Sequence, residues 1–480
     1  MEAIESHGRR EEDLMIPARR LQLSFADGFI SEQVDDLWEP WMRHADQALN
    51  DDRLLEIMQA AWNKLCKSKT RGRPGTPAEV ILRLLLLKHI RDWSYEELAR
   101  EVRANLVYRE FTRIGGGKVP DDKSISRFGR QLGPEIVEQL HRRVVDIARA
   151  NHVVQGRRLR VDTTVVETNI HYPTDSTLLN DGVRVLTRVM KKITGAAGHA
   201  GTRLRDRTRS VKRRLLEIVR ASRDRSEKGQ EKLKAAYRCL LSSVTRVVGQ
   251  AKKFSSEVAS RIKRGNRAVL RKARRQLDEM IPRVQQVIRQ TRQRIMGGDT
   301  RAEGKIVSLF EPQTEVIRKG KAGKPTEFGK LVKIQEAENQ IVTHYSVFEE
   351  RPSDSELLIP SLEKHQLLFG HVPAMAAADA GFFSAANEAK AEEMGVKRVA
   401  VPSQSTKSSQ RKQRQKKRWF KEAMRWRTGC EGRISVLKRR HGLNRSRYKE
   451  TDGMKRWVGL GVIADNLINI SRAMAASVKS

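Results

Sequence analysis

Arg427, Glu431 and Lys438 lie at i, i+4 and i+11 within the stretch KEAMRWRTGCEGRISVLKRRHGL. On a helix, at about 100° per residue, these steps gather the three side chains into roughly one 60° sector. A carboxylate with cations a turn or two away on each side suits a group that holds a metal ion while its neighbours grip phosphate oxygens. A solvated helix face with an ordinary i,i+4 ion pair accounts for the same residues. Two further acids favour the first reading. Asp162 lies in RRLRVDTTVVETN, where Leu159, Val161, Val165 and Val166 make a short β-rich run and an acid is poorly placed for a core strand. It is read as closing its strand. Asp379 closes the apolar run VPAMAAAD before Ala380-Gly381, with Ser384 placed to cap a following helix. A carboxylate at the C-terminal end of a strand sits at the crevice where open α/β sheets bind ligands. Either Asp alone reads as well as a turn or cap residue. Taken together, Asp162, Asp379 and Glu431 are a set that can hold two divalent ions about 4 Å apart, the arrangement for in-line displacement at phosphorus. An all-carboxylate set favours Mg²⁺ over softer metals.

The charge agrees with a phosphate-rich partner. The chain of 480 residues carries 95 Lys and Arg against 58 Asp and Glu, a formal net charge of +37. Residues 201–300 hold 29 of the cations and 9 of the acids, so more than half of the surplus lies there. A second run, from Lys407 to Lys421, contains Lys412, Arg414, Lys416, Lys417 and Arg418, with Trp419 beside it. Such cations bind nucleic-acid phosphates with a strong salt dependence and little sequence information. A ribosome-like or merely soluble basic surface is the competing account of the charge.

Other features exclude. Cys66, Cys239 and Cys430 are far apart and lack metal-ligand spacing, so neither a disulfide framework nor a zinc site is indicated. Cys430 adjoins Glu431 but points from a different helix face, as a packing residue does. GKAGKPT, from Gly320 to Thr326, lacks the spacing of a phosphate-binding P-loop. The N-terminus has no apolar signal region, and the longest apolar run, Val80 to Leu87, contains Arg83 and is too short to span a bilayer. A cytoplasmic protein that does not enter a membrane is the expectation.

Around these residues the chain reads as a mixed α/β protein in five parts. Residues 1–50 are an N-terminal segment with Trp38 and Trp41 as packing anchors. Residues 51–155 read as helical. Thr76-Pro77 starts a helix with Val80, Ile81, Leu84 and Leu85 on its apolar face, and Ser94 to Glu97 matches a capping box. After the turn Gly115-Gly116-Gly117, PDDKSISRFGRQL makes a short helix bearing Lys123, Arg127 and Arg130. Short helices, tight turns and a basic last helix read as a helix-turn-helix-like DNA-binding domain, with a plain helical packing domain as the alternative. Residues 156–180 and 304–450 carry the three acids. Lys305 to Phe310 is expected as a strand, and Leu331–Glu336 and Ile341–Phe348 as a hairpin. Ser355–Leu367 and residues 384–394 read as helices, and Arg398 to Val401 as a last strand. Residues 181–303 are a basic helical insertion, with turns expected at Gly195–Gly198 and Gly265-Asn266. Residues 451–480 form an apolar helix that packs on the sheet. His171 and Asp175 read as loop residues near the site.

Most of the chain resembles an insertion-sequence transposase with an RNase H-like DDE core, closest to the ISNCY-type group. The resemblance rests on RVDTTVVETNIHYPTDS, KPTEFGK, AADAGFFS and the Arg-Glu-Lys helix. It also rests on RGRPGTPAEVILRLLLLKHI and PDDKSISRFGRQL in the N-terminal all-α DNA-binding domain. It implies Asp162, Asp379 and Glu431 as the catalytic triad and metal ligands, with Arg427 and Lys438 as phosphate contacts. Two Mg²⁺ ions are implied, with Mn²⁺ as a substitute. The implied activity is binding of an element's inverted ends, cleavage of DNA and strand transfer to a target. The implied partners are double-stranded DNA and a second copy of the chain in at least a homodimer, in the nucleoid of a bacterial cytoplasm. One position departs: Met424 stands where the signature has Tyr, and Met cannot donate a hydrogen bond to phosphate. That contact is lost or passes to Trp426 by stacking. A nuclease of the same fold without strand transfer and an inactive DNA-binding relic are the other readings.

Overall fold

The computed structural model describes residues 16–20, 25–64, 75–197, 202–261, 267–318, 325–403 and 406–477. Cys66, Gly198, Gly265 and Asn266 lie outside them. The chain divides into two compact units, Met1–Asn169 with Gly329–Ser480, and Ile170–Phe328.

Among the described residues the first unit opens with eight helices: α1 (Phe25–Val34), α2 (Pro40–Leu49), α3 (Asp52–Asn63), α4 (Ala78–Arg91), α5 (Tyr95–Ala104), α6 (Leu106–Phe111), α7 (Asp122–Gln131) and α8 (Pro134–Ala150). Their starts follow from local chemistry. Asp51 and Asp121 accept hydrogen bonds from Leu54 N and Ser124 N, and Pro40 and Pro134 occupy first-turn positions. Ser94 and Glu97 form the reciprocal capping box that opens α5. Gly115 turns at φ 51°, and a Cβ there would lie 1.8 Å from the Asp27 carboxylate that receives Gly116 N–H. Trp38 and Trp41 pack edge-on against Phe111.

Helix α4 is buried along nearly its whole length, including Arg83 and Lys88. Arg83 is fully enclosed and bonded to Glu79 (3.1 Å), Asp46 (2.6 Å), Asn50 (2.7 Å) and the Phe111 carbonyl (3.0 Å). A buried cation is tolerable only with such partners. Lys88 has none among the described residues; its Nζ stands 4.3 Å from the Trp457 ring centroid, 5.1 Å from Tyr95 and 5.9 Å from Tyr448. The ring faces attract the ammonium, but burial pushes its pKa down to about 7.

Strand β1 (Arg158–Glu167) then leads into the second unit. There α9 (Asp175–Ala197), α10 (Thr208–Ala221), α11 (Glu227–Arg261) and α12 (Arg267–Gly297) close on Leu186, Met190, Leu240, Val244, Phe254, Leu277 and Val284. Arg188, Lys192, Lys212, Arg246, Lys252 and Arg271 stand on the outside. Two expectations fail here. Gly195 is inside α9, not in a turn. Residues 305–310 form no strand; their backbone docks on α12, where Gln290 bonds both Ile306 N and Ile306 O and Arg283 bonds Leu309 O. Side-chain amides replace the ladder partners that a strand needs. A short strand, β2 (Glu315–Arg318), follows.

The chain returns through β3 (Thr326–Glu336), β4 (Val342–Val347), α13 (Leu358–Phe369), β5 (Met375–Ala378), α14 (Ala385–Glu393), β6 (Arg398–Ala400), α15 (Ser409–Lys416), α16 (Arg418–Arg440) and α17 (Glu450–Ser477). In the first unit the strands run β4-β3-β1-β5-β6. The pairs β4–β3 and β3–β1 are antiparallel, and β5 and β6 are parallel to β1. Gly329, within KPTEFGK, lies opposite Glu167, and a Cβ there would stand 2.0 Å from the Val166 carbonyl oxygen. One sheet face packs Leu159, Val161, Ala376 and Ala378 against Leu358 and Leu362 of α13. The other packs Val166, Val332, Ile334 and Ala377 against α16 and α17. Helix α17 also packs on α2, α4 and α8, and Asn466 bonds both backbone groups of Val342. No helix among the described residues is long and apolar enough to cross a membrane.

The Lys88 pKa falls on folding from its ordinary 10.5, so the unfolded chain binds the extra proton and stability rises with pH between about 7 and 10.5. Lys88→Met should therefore be more stable than the parent at pH 6, by about 1–4 kcal/mol of unfolding free energy. That gain should shrink as the pH rises from 7 towards 10; calorimetry of both proteins across this range checks it.

Candidate active site

Two strands and one helix place the three acids. The parallel pairing of β1 with β5 ends at Val161 opposite Ala378, so Asp162 and Asp379 come level one step further on. Side chains alternate across a strand. Val161 and Ala378 face α13, and Asp162 and Asp379 therefore face α16. Asp162 does not close its strand; it lies inside β1, opposite Ile334 of β3. The physical reason is that β1 runs on to Glu167 as the partner of β3 after its parallel ladder has stopped. Asp379 follows β5 and caps the turn Ala380–Phe382, accepting Ala380 N–H at 2.8 Å. Asp162 accepts Thr163 N–H at 2.7 Å.

Helix α16 approaches this part of the sheet closely because Ala377, Ala400 and Ala423 meet there with Phe420. It brings Glu431 and Arg427. The Arg427 guanidinium binds all three acids: Nη1 lies 2.9 Å from Glu431 Oε1, and Nη2 lies 3.1 Å from Asp162 Oδ2 and 3.7 Å from Asp379 Oδ2. Arg427 and Asp162 side chains are 10% and 13% exposed, whereas those of Asp379 and Glu431 are 54% and 59% exposed. The set thus has a closed side and an open side. Its donors are all carboxylate oxygens, which suits a hard divalent cation. The guanidinium stands among them, and among the described residues no three acids form a ready ion-binding cluster. The donor set fits such an ion once the guanidinium leaves these oxygens.

Beneath α16 lies a second layer of charge. Arg160, two residues before Asp162 and on the same face, donates to the Trp426 carbonyl and to the buried Glu336 of β3. Its guanidinium also lies 4.8 Å from the Trp426 ring centroid, so one face of that ring is covered. Burial raises the Glu336 pKa, and the adjacent Arg160 opposes the rise. Gly429 leaves room for Arg160, since a Cβ there would stand 2.4 Å from its Nη1. At the far end of the helix Arg433 pairs with Asp465 of α17 at 3.1 Å. Cys430 is buried, and burial raises its pKa well above the ordinary thiol range. Met424 packs at the Ala377–Phe420 cluster.

The other sequence-derived residues are spread out. Lys438 is half-buried further along α16. Lys123, Arg127 and Arg130 are exposed on α7, which buries Ile125 and Gly129. Lys412, Lys416 and Lys417 are exposed. Arg418 is exposed and pairs with Glu422 at 2.8 Å. Arg414 is half-buried and tied to Glu388 (3.2 Å) and Glu392 (2.7 Å). Arg160, Glu336 and Asp354 were not singled out in the sequence. Asp354 accepts the Thr163 hydroxyl at 3.2 Å and abuts the turn after Asp379 at Gly381. Period-two alternation from Asp162 pointed to Arg160; Glu336 and Asp354 depend on register and loop packing.

Residues 39–131 match the family model described as a transposase domain (DUF772), and residues 303–467 match that of a transposase DDE domain. The second span contains Asp379 and Glu431. An uncharacterized protein of Rhizobium meliloti, ORF8 in the nfe locus, is 30% identical over 127 residues. That alignment covers 25% of this chain and 61% of the relative. No solved structure matches the chain.

Glu336→Ala strands the buried Arg160 charge and should cost about 3–5 kcal/mol of unfolding free energy. The double variant Arg160→Met with Glu336→Leu, which removes both charges, should cost less than the single one. Denaturant unfolding of the set measures the coupling.

Proposed function

We infer, for a chain whose two transposase domains place it among the insertion-sequence DDE transposases, that it binds the inverted ends of its element, cuts them with a divalent cation and joins them to target DNA. The observation that carries the reading is the meeting of Asp162, Asp379 and Glu431 at one guanidinium. Three elements far apart in sequence deliver acids to one point at the end of the parallel β1–β5 ladder, inside a mixed sheet, where a solvated helix face would pair Glu431 with Arg427 only. The order β4-β3-β1-β5-β6, with an antiparallel meander and two parallel strands, supports an RNase H-like core.

In this mechanism Asp162, Asp379 and Glu431 hold the cation, and Mg²⁺ is the natural one for carboxylates. When bound, the ion lowers the pKa of the attacking water and neutralises charge on the phosphoryl oxygens. The protein's part is placement. Asp162 is fixed by its strand and Asp379 by the turn that it caps, so their carboxylates start near their working positions. Glu431 projects from α16 toward solvent, on the side a duplex approaches. Lys438, further along the same helix, supplies a phosphate contact. Lys123, Arg127 and Arg130 of α7 serve the element ends, and the cations of α9–α12 with Lys412, Lys416 and Lys417 track backbones. Two ends held together call for two copies of the chain.

An inactive DNA-binding relic is the second reading, favoured by Met424, whose side chain packs at an apolar cluster and donates no hydrogen bond. Incubation of a labelled duplex bearing the element ends with Mg²⁺ separates the two. The parent should cleave and join, and Glu431→Gln should lose both by on the order of 10³-fold. Binding without cleavage by the parent would establish the relic. Cleavage without joined product would make the chain a nuclease, and equal activity in both proteins would remove Glu431 from the site.

A further inference from the structure

We propose that Arg427 is a tethered counter-ion that keeps the three acids assembled and exchanges with the divalent cation, so that metal loading and release of this guanidinium toward a DNA phosphate are one coupled event. The proposal rests on the reading of Asp162, Asp379 and Glu431 as the metal-holding set, and it adds a partner for them before any ion arrives.

Four observations carry it. Arg427 holds Asp162 Oδ2, Asp379 Oδ2 and Glu431 Oε1, and these are oxygens of the three acids that would hold an ion. Guanidinium and metal ion therefore compete for the same ligands. Arg427 Nε is buried without a hydrogen-bond partner among the described residues, so the head group is held by the carboxylates alone. Three carboxylates gathered at one point repel each other strongly in a partly desolvated site, and the cation among them offsets that repulsion. Finally, Arg427 and Glu431 sit one turn apart on α16, so the exchange requires side-chain rotation and no movement of the helix.

The arrangement of exposure gives the exchange a direction. Asp379 and Glu431 present more than half of their side chains to solvent, where an ion and a duplex approach, while Arg427 and Asp162 lie behind them. An ion entering from the open side displaces the guanidinium from its acids. A phosphate near the site draws it away and thereby clears the ligands. By linkage, DNA then raises the affinity for the ion by the same factor as the ion raises the affinity for DNA. Such coupling weakens metal binding until a substrate phosphate is present.

Mn²⁺ is the probe, with its binding to the full chain followed by titration calorimetry and by its paramagnetic resonance signal. The parent, Arg427→Gln, Arg427→Lys, Arg425→Gln and Asp162→Asn are compared. Arg427→Gln should bind Mn²⁺ about tenfold more tightly than the parent, a gain of about 1.4 kcal/mol. Arg425→Gln removes an equal charge from an exposed position two residues away and should change the affinity less than twofold. A duplex oligonucleotide should tighten Mn²⁺ binding to the parent and leave that of Arg427→Gln unchanged. Arg427→Lys keeps the charge but cannot span three acids, and should fall between the two; it carries the comparison if the Gln variant does not fold. Equal or weaker binding by both Arg427 variants, or an equal gain in Arg425→Gln, overturns the counter-ion role and leaves the metal site standing. No Mn²⁺ binding by any of the proteins, or unchanged binding by Asp162→Asn, removes the metal reading and this proposal with it.

Discussion

The first unit depends on how a helix rich in cations is held against a sheet. Helix α16 carries Arg427 and Arg433 on its buried side, and β1 carries Arg160 beneath it. None of these charges could stay there unpaired. Glu336 of β3 and the Trp426 carbonyl satisfy Arg160, Asp465 of α17 receives Arg433, and the three acids receive Arg427. The pairs fix both the height and the rotation of α16. Removing one member strands a charge, so the pairing acts as a specification of geometry more than as a source of net stability.

The same constraint recurs among the N-terminal helices. This chain, with a net charge of +37, buries Arg83 and Lys88 in its N-terminal core. Arg83 meets the constraint with two carboxylates, an amide and a carbonyl. Lys88 meets it with three aromatic rings, two of which, Tyr448 and Trp457, come from the C-terminal part of the chain. The apolar helix α17 supplies Trp457 and Asp465, and so touches both the N-terminal core and the helix that bears Glu431. This ties the domain that presents α7 to the elements that present the acids.

Local signals in the sequence translated well where chemistry is local. The capping box at Ser94, the cap at Ser384, the hairpin around Ala337–Gln340 and the apolar strand before Asp379 all appear as expected. The errors arose where a neighbour decides. Residues 305–310 have the composition of a strand, but Gln290 and Arg283 take up their backbone groups. Gly195 reads as a turn, yet α9 carries it within a packed helix.

By itself the sequence determined the types of residue available for chemistry, the helical phase that puts Arg427 beside Glu431, and the large positive net charge. These are properties of spacing and composition, and they survive without knowledge of any contact. The tertiary structure alone decided that Asp162 and Asp379 stand level, because register between two parallel strands is a long-range fact. It alone decided that Arg427 turns inward, onto all three acids, and that Arg160 and Glu336 set the position of the helix that carries it. A side chain's spacing says which face it occupies; only the packing of the sheet beneath says what charge it meets there.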